Sequence, residues 1–403
     1  MSTSSPSAAA PQPARIGWVI FALAMGAFVL GTTEFAAMSL LPHIAKAFGV
    51  SEPVAGHAIS AYALGVVVGS PVITVLAAKL PRRALLIGLV FLIGAGNGLS
   101  AIAPTMPWFL LFRFISGLPH GAYFGVAALM AASLVPQKKR AQAVSRMILG
   151  LTVATIIGVP FATGIGQTLG WRWGLGIVAI LAMITMVLIR LLSPNPPVRT
   201  DASPLRELGA LRNPQVWLTL GIGAVGFGGL FCTYTYLAST LIDITHANAT
   251  TIPLVFAIFG IGSTIGTLVC GWAADKSTMR AGGATLAVGV VILLLYPSAV
   301  GNIWALSILT FFIGCGVGLS TILQTRLMDV AGDAQALAGA LMQSSFNVAN
   351  AIGPWVGGMV ISSGLGLANI GYAAAALSLG GLGMWAWTVL DARSRQRRIE
   401  AQA

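Results

Sequence analysis

Two stretches of this chain run without a charge for longer than one membrane crossing can use. Ala281 to Thr325 is 45 residues and Gln335 to Leu390 is 56. About 20 apolar residues carry a helix across a bilayer core, so each stretch must turn back once. Turn residues stand where the reversals are needed: Pro297 with Gly301 and Asn302 in the first, Ser362, Ser363 and Gly364 in the second. Pro104 and Pro107 mark a similar break earlier. Composition agrees, since 8% of residues are charged, against about 25% in soluble domains. Twelve crossings need roughly 240 apolar positions, close to the 57% of 403 residues that are hydrophobic. The expected class is an all-α membrane protein with short loops and no sizeable soluble domain.

Charges and turn residues place the spans at 16–41, 53–78, 84–103, 107–134, 142–167 and 172–192, then at 215–241, 250–274, 281–299, 303–325, 335–362 and 368–390. The organisation read from them is a tail over 1–15, a six-helix bundle over 16–192, a linker over 193–214, a second bundle over 215–390 and a basic tail over 391–403. The first tail is Ser/Ala/Pro-rich and is expected to be disordered. It lacks the apolar core and small-residue site of a removable signal peptide. With the amino terminus in the cytoplasm, 19 of the 22 Lys and Arg residues fall in the tails and even-numbered loops or at their helix ends. That asymmetry predicts cytoplasmic termini and a cytoplasmic linker. It also disposes of a nucleic-acid partner, which the net charge of +12 would otherwise raise. Cys232, Cys270 and Cys315 lie in apolar stretches without paired spacing, and read as buried packing residues.

The halves match each other in places. Val153 to Gly158 in span five resembles Val348 to Gly353 in span eleven, and Gly69-Ser70 in span two resembles Gly262-Ser263 in span eight. Setting Thr33 against Thr233 puts Tyr234 opposite Glu34. A duplicated six-helix unit of this kind is typical of secondary transporters.

Gly353-Pro354-Trp-Val-Gly357-Gly358 in span eleven matches the Gly-Pro-x-x-Gly-Gly core of the antiporter motif of the major facilitator superfamily. Span five carries a degenerate version, with Gly150, Gly158, Pro160 and Gly164. The loop Gly271 to Asp275-Lys276 fits that family's Gly-x-x-x-Asp-Arg/Lys pattern, and Lys79, Arg82 and Arg83 are its counterpart after span two, without the aspartate. Gly31-Thr-Thr-Glu34-Phe35, Ala55 to Gly65 and Arg113 to Gly121 resemble one branch more closely, the bacterial drug/proton antiporters that include arabinose-efflux and chloramphenicol-export proteins. The resemblance covers essentially the whole chain. It implies two pseudo-symmetric six-helix bundles in a bacterial inner membrane, and proton-driven efflux of a small molecule.

Glu34 is the one acid of ten placed deep within a span. A charge at a helix centre costs about 2.5–3.5 kcal/mol on insertion scales, so Glu34 needs a cavity, a partner or a proton. At about 1.5 Å per residue, Glu34 lies roughly 9 Å and Arg113 roughly 11 Å outward of the membrane centre. The two can meet. His120 follows Arg113 by two helical turns and shares its face. These three form the expected proton-coupling group; the plainer readings are a carboxyl near the outer interface that reaches water for Glu34, a structural ion pair for Arg113 and a packed or helix-kinking role for His120. Phe35, Tyr123, Phe227, Phe231, Tyr234, Gln343 and Asn347 are the candidates to line a substrate cavity; ordinary packing and interhelical hydrogen bonding are their plainer roles. Gly150, Gly158, Pro160, Gly353, Pro354, Gly357 and Gly358 are read as close-packing and bending positions. Lys79, Arg82, Arg83, Asp275 and Lys276 are read as a cytoplasmic gate or as topology signals.

No zinc spacing, phosphate-binding loop or nucleophile elbow appears, so neither a metal nor another cofactor is expected. The expected protein is a monomeric carrier that exchanges protons for an amphipathic molecule or drug. A sugar or sugar-derivative exporter is the nearest alternative. A receptor would carry a larger extramembrane surface, and an intramembrane enzyme a cluster of catalytic groups; the chain has neither.

Overall fold

The computed structural model describes residues 13–76, 80–194, 212–331 and 335–400. Among them the chain is helical nearly throughout. The first six crossings are Pro13–Ser39, Glu52–Leu76, Arg82–Ala101, the pair Met106–Gly117 and His120–Ser133, the run from Arg140 to Thr168, and Trp171–Leu192. The second six begin with the broken run from Pro214 to Asp243. Next comes Thr251–Leu294, whose 44 residues are two crossings joined at Ser277, where φ −168° and ψ 100° leave the helix. The run from Ile303 to Ala331, then Gln335–Ser362 and Ile370–Glu400, complete the set. The two long uncharged stretches therefore do turn back, at Pro297 to Asn302 and at Ser362 to Gly366.

Three boundaries differ from expectation. The first span ends at Ser39, and a separate helix Leu41–Phe48 follows, closed by Gly49 at φ 64°. Helix begins at Pro13, inside the expected disordered tail. The last helix runs on to Glu400, so the basic tail continues span twelve. Lys79, residues 1–12 and most of the linker (195–211) lie outside the described residues. Of the cysteines, Cys232 and Cys270 are buried and Cys315 is half-buried. Exposed tryptophans mark the helix ends on both sides: Trp18, Trp217 and Trp387 at one, Trp108, Trp173 and Trp304 at the other. Such girdles sit at membrane interfaces.

Glycines set the helix spacing, and they reveal the register of the repeat. A Cβ on Gly65, Gly69 or Gly117 would come within 2.1–2.2 Å of the carbonyl oxygens of Phe114, Leu118 and Tyr62. On Gly262, Gly266 or Gly314 it would come within 2.1–2.4 Å of those of Phe311, Cys315 and Phe259. Every member of the first set lies 197 residues before its partner in the second. Gly69 thus pairs with Gly266, and the sequence match of Gly69 to Gly262 is one helical turn out of register. The alignment of spans one and seven holds: Gly158 meets Phe28 and Thr32, and Gly353 meets Gly228 and Cys232, 200 residues on.

Because backbone blocks the added methyl, Gly117→Ala and Gly314→Ala are each expected to destabilise the protein by about 1–3 kcal/mol, as overpacking does. Gly98→Ala, whose Cβ would meet only Ala179 at 3.7 Å, is expected to be neutral or to stabilise by up to about 1 kcal/mol. Thermal unfolding in detergent separates the two outcomes.

Among the described residues, apolar packing joins the bundles at one end. Phe35, Leu40, Ile59, Phe109 and Trp171, near the loops at 40–51 and 102–105, share one buried cluster with the second bundle. Val19, Leu86, Met130, Met147 and Ile189, at the opposite ends of the same helices, form a cluster of their own. At the joined end a Cβ on Gly358 would lie 3.2 Å from Pro53, and one on Gly56 2.9 Å from the Tyr236 hydroxyl. Ser60 donates to the Ala351 carbonyl at 2.9 Å.

Candidate functional site

Where the bundles meet, the first contributes an acid from span one, a phenol from span two, and a base and a cation from span four. Glu34 is 8% exposed, and its two oxygens face different bundles. Asn350 of span eleven donates to Oε1 at 2.8 Å. Nε2 of His120, on span four, stands 4.0 Å from Oε2. The other ring nitrogen of His120, Nδ1, lies 2.7 Å from the Tyr62 hydroxyl. The Gln343 amide nitrogen is 3.3 Å from Nε2. With Gln343 donating there, Nδ1 carries the imidazole hydrogen and donates to Tyr62. The one Nε2 lone pair is then taken by the Gln343 amide, and Nε2 can accept from Glu34 only when that amide moves away.

Arg113 is fully buried and held by its own bundle. It donates to the Thr33 carbonyl at 3.2 Å and to the Asn97 side-chain oxygen at 3.4 Å. Its guanidinium lies 4.5 Å from the centre of the Tyr62 ring. Arg113 thus makes no ion pair with Glu34 within 4.0 Å, and the three residues are gathered in a different order from that expected: His120 is the near neighbour, and Arg113 reaches it through Tyr62. The break between Met106–Gly117 and His120–Ser133, at Leu118 and Pro119, sets the turn on which His120 sits.

The aromatic candidates close over this group. Phe35 stacks on Phe231 with centroids 6.4 Å apart and meets Tyr234 edge-on at 5.3 Å. Phe227 packs on Phe346 at 4.8 Å. Gln343 and Asn347 lie a turn apart on span eleven, joined by a 3.0 Å bond from the Asn347 amide to the Gln343 carbonyl. Tyr123 stands apart: it is fully buried in the first bundle and donates to the Leu23 carbonyl at 2.8 Å.

The motif glycines act mostly within bundles. A Cβ on Gly150 would strike the Ala24 carbonyl at 1.9 Å, and one on Gly357 the Tyr236 ring at 2.7 Å. Pro354 lies inside its helix, and its carbonyl accepts from the Tyr236 hydroxyl at 2.9 Å. Pro160 follows a π-helical turn over Ala154–Gly158. That turn meets the other bundle, since a Cβ on Gly260 would lie 2.6 Å from Thr155 backbone. Of the loop charges, Arg82 reaches the Leu129 carbonyl at 3.4 Å and Arg83 that of Arg190. Asp275 and Lys276 are exposed, and the Lys276 ammonium lies 3.6 Å over the Trp272 ring.

Asn97, Tyr62 and Asn350 are the participants that the sequence did not single out for this group. Asn97 carried a signal, as an amide deep in an apolar span. Asn350 carried one too, on the same face of span eleven as Gln343 and Asn347; Tyr62 carried only its neighbourhood, and the approach of both to Glu34 is a tertiary fact.

Twelve crossings in two related bundles, with a buried polar group shared between them, define a membrane transporter, not an enzyme. The chain belongs to the Major Facilitator Superfamily, whose model matches residues 23–336 and 229–403. It is 40% identical to the inner membrane transport protein YdhP of Escherichia coli K12, over 87% of this chain and 91% of that one. It is 31% identical to a chloramphenicol resistance protein of Streptomyces lividans, over 84% and 87%. Its fold matches a bacterial homologue of the human lysosomal transporter Spinster, solved inward-facing and occupied, with a TM-score of 0.71 at 18% identity over 94% and 95% of the two chains.

Proposed function

We propose that this protein is a proton-coupled exporter of a small amphipathic molecule, working as a monomer in a bacterial inner membrane by alternating access. The observation that carries the reading is the Glu34 carboxylate, buried at the junction of the bundles and hydrogen-bonded across it by Asn350. A protonated Glu34 has His120 Nε2 4.0 Å away, a base that is freed when the Gln343 amide of span eleven moves off it. Movement of span four by little more than 1 Å would bring the two within hydrogen-bonding distance. Movement of span eleven breaks or makes the Asn350 bond. The proton on Glu34 and the relative position of the bundles therefore depend on each other, which is what exchange requires. The substrate binds between the bundles, against Phe35, Phe231, Tyr234, Gln343 and Asn347. Similarity to a chloramphenicol resistance protein supports an outgoing drug-like substrate.

Transport into proteoliposomes under an imposed pH gradient, against a panel of drugs and sugars, tests this reading. Accumulation of an amphipathic drug that collapses with the gradient supports it. Accumulation indifferent to the gradient refutes proton coupling, and uptake of sugars alone would move the protein to the sugar exporters.

The orientation follows from the basic residues: both termini and the linker cytoplasmic, the end at Ser51 outward. The joined end of the bundles is then the outer one, and the structure faces inward. In single-cysteine variants on intact cells, an impermeant maleimide is expected to label residue 51 and to spare residue 203 of the linker. The opposite pattern would invert the topology.

A further inference from the structure

Span eleven lays one amide on each member of the acid–base pair. Asn350 donates to Glu34 Oε1 at 2.8 Å. Gln343, seven residues earlier and so two helical turns along the same face, places its amide nitrogen 3.3 Å from His120 Nε2. The two contacts fix where the hydrogens lie. With Asn350 donating to Oε1, a protonated Glu34 carries its hydrogen on Oε2, the oxygen turned toward His120. With Tyr62 at 2.7 Å from Nδ1 and Gln343 on Nε2, the imidazole has no lone pair left to receive it. The acid therefore aims its proton at a base that is already occupied.

The surroundings leave this amide in control. Tyr62 and Arg113 face the pair from the first bundle, the one bonded to Nδ1 and the other held by Thr33 and Asn97. From the second bundle come Tyr234, within electrostatic reach of Glu34, and the amides of Gln343 and Asn350, all uncharged. Phe124 packs on the imidazole with ring centroids 5.3 Å apart. A Cβ on Gly121 would lie 3.6 Å from Gln343 Cγ, so the stem of Gln343 rests on the span-four backbone beside His120. Glu34 and His120 are buried, while Gln343 is half-buried. Solvent thus reaches the amide and not the base beneath it.

We propose that Gln343 is an interlock on the proton: while its amide covers His120 Nε2, Glu34 cannot hand its proton on, and a carrier without substrate does not leak protons. Were Nε2 protonated with the amide in place, two N–H groups would face each other, a buried donor without an acceptor. Displacement of span eleven lifts both amides at once. The proton then passes from Glu34 Oε2 to His120 Nε2, leaving a carboxylate and an imidazolium with hydrogen on both nitrogens. Water entering where Gln343 stood takes the Nε2 proton and restores the neutral ring. Gln343 acts through His120 and is a positioning residue. The role deepens the proton-coupled reading and rests on it, since it concerns how tightly coupling is kept.

The test uses the full chain in proteoliposomes with the pH dye pyranine entrapped, an acid jump outside, the membrane potential clamped and no substrate. The unaltered protein is expected to admit protons no faster than protein-free vesicles do. Gln343→Met keeps the side-chain length and removes the donor; it is expected to raise proton entry at least about tenfold, the effect of losing one hydrogen bond. Gln343→Leu is expected to do the same. Adding His120→Gln or Glu34→Gln to Gln343→Met is expected to return entry to baseline. Asn350→Leu, which loosens the same helix face without uncovering Nε2, is expected to stay at baseline. A hole left by misfolding would release the dye as well and would not be mended by a second substitution. Baseline entry in both Gln343 variants with unchanged thermal unfolding, equal entry in Asn350→Leu, or entry that persists without His120 would each overturn the proposal. Gradient-driven export by the unaltered protein with no leak in the variants refutes the interlock alone; a His120-dependent leak in the variants without gradient-driven export refutes the export reading alone.

Discussion

Glu34→Gln is expected to abolish uphill export driven by a pH gradient while leaving substrate counterflow within about threefold of the unaltered protein. The asymmetry follows from the two faces of the carboxyl group. Gln keeps an oxygen that accepts from Asn350, the 2.8 Å contact that ties the bundles together, so the fold and the junction survive. A threefold change corresponds to about 0.6 kcal/mol, less than one typical hydrogen bond. What Gln lacks is a proton to give to His120 Nε2, now 4.0 Å away, or to release into water. Counterflow needs only the conformational exchange of a loaded carrier; uphill transport needs the proton. Undiminished uphill transport by Glu34→Gln would remove Glu34 as the coupling group. Loss of both activities, with binding lost too, would assign it to substrate recognition.

Arg113→Leu should reduce export to background, and Arg113→Lys should reduce it by at least about tenfold. The guanidinium makes two hydrogen bonds, to the Thr33 carbonyl and the Asn97 side-chain oxygen, with its carbon 4.5 Å from the centre of the Tyr62 ring. A lysine is a point charge on a flexible stem and cannot hold that fork and the ring together. Hydrogen bonds to charged groups contribute about 1.5–3 kcal/mol each, so losing one already gives a factor of ten or more. The consequence passes down the chain of contacts: Tyr62 loses the group that orients its ring, and its hydroxyl no longer fixes the His120 imidazole at 2.7 Å. If that chain carries the effect, Tyr62→Phe reproduces part of the loss with Arg113 still in place. Full export by Arg113→Leu, or by Tyr62→Phe together with His120→Gln, would show that Glu34 works without them.

The sequence displayed the crossings well, because the energetics behind them are local. A charge or an unpaired backbone group in hydrocarbon is expensive wherever it falls. Hence uncharged length, turn residues and basic loops suffice to place each span within a few residues. The errors lie at helix ends, where water returns and the cost fades. Leu41–Phe48 forms its own helix, with Leu41, Ile44 and Ala45 on a buried face. Span twelve continues past Leu390 because no proline or glycine follows to stop it.

Glu34 was legible for the same local reason, as a deep carboxylate in an apolar span. Its company was not. His120 and Asn350 reach it from 86 and 316 residues away in the chain, and which face of spans four and eleven turns toward it depends on how closely the helices approach. Glycine contacts with backbone set that approach, and the same contacts move the repeat alignment of spans two and eight by a turn. From sequence alone come the number of crossings, the orientation expected from the charges, the duplication and the single deep acid, since each follows from the price of polar groups in lipid. Tertiary structure alone decided that Arg113 sits one residue removed from Glu34, that His120 stands nearest, and that Asn350 reaches it from the other bundle. Those depend on helix rotation and packing between distant segments, quantities that no periodic pattern within one segment encodes.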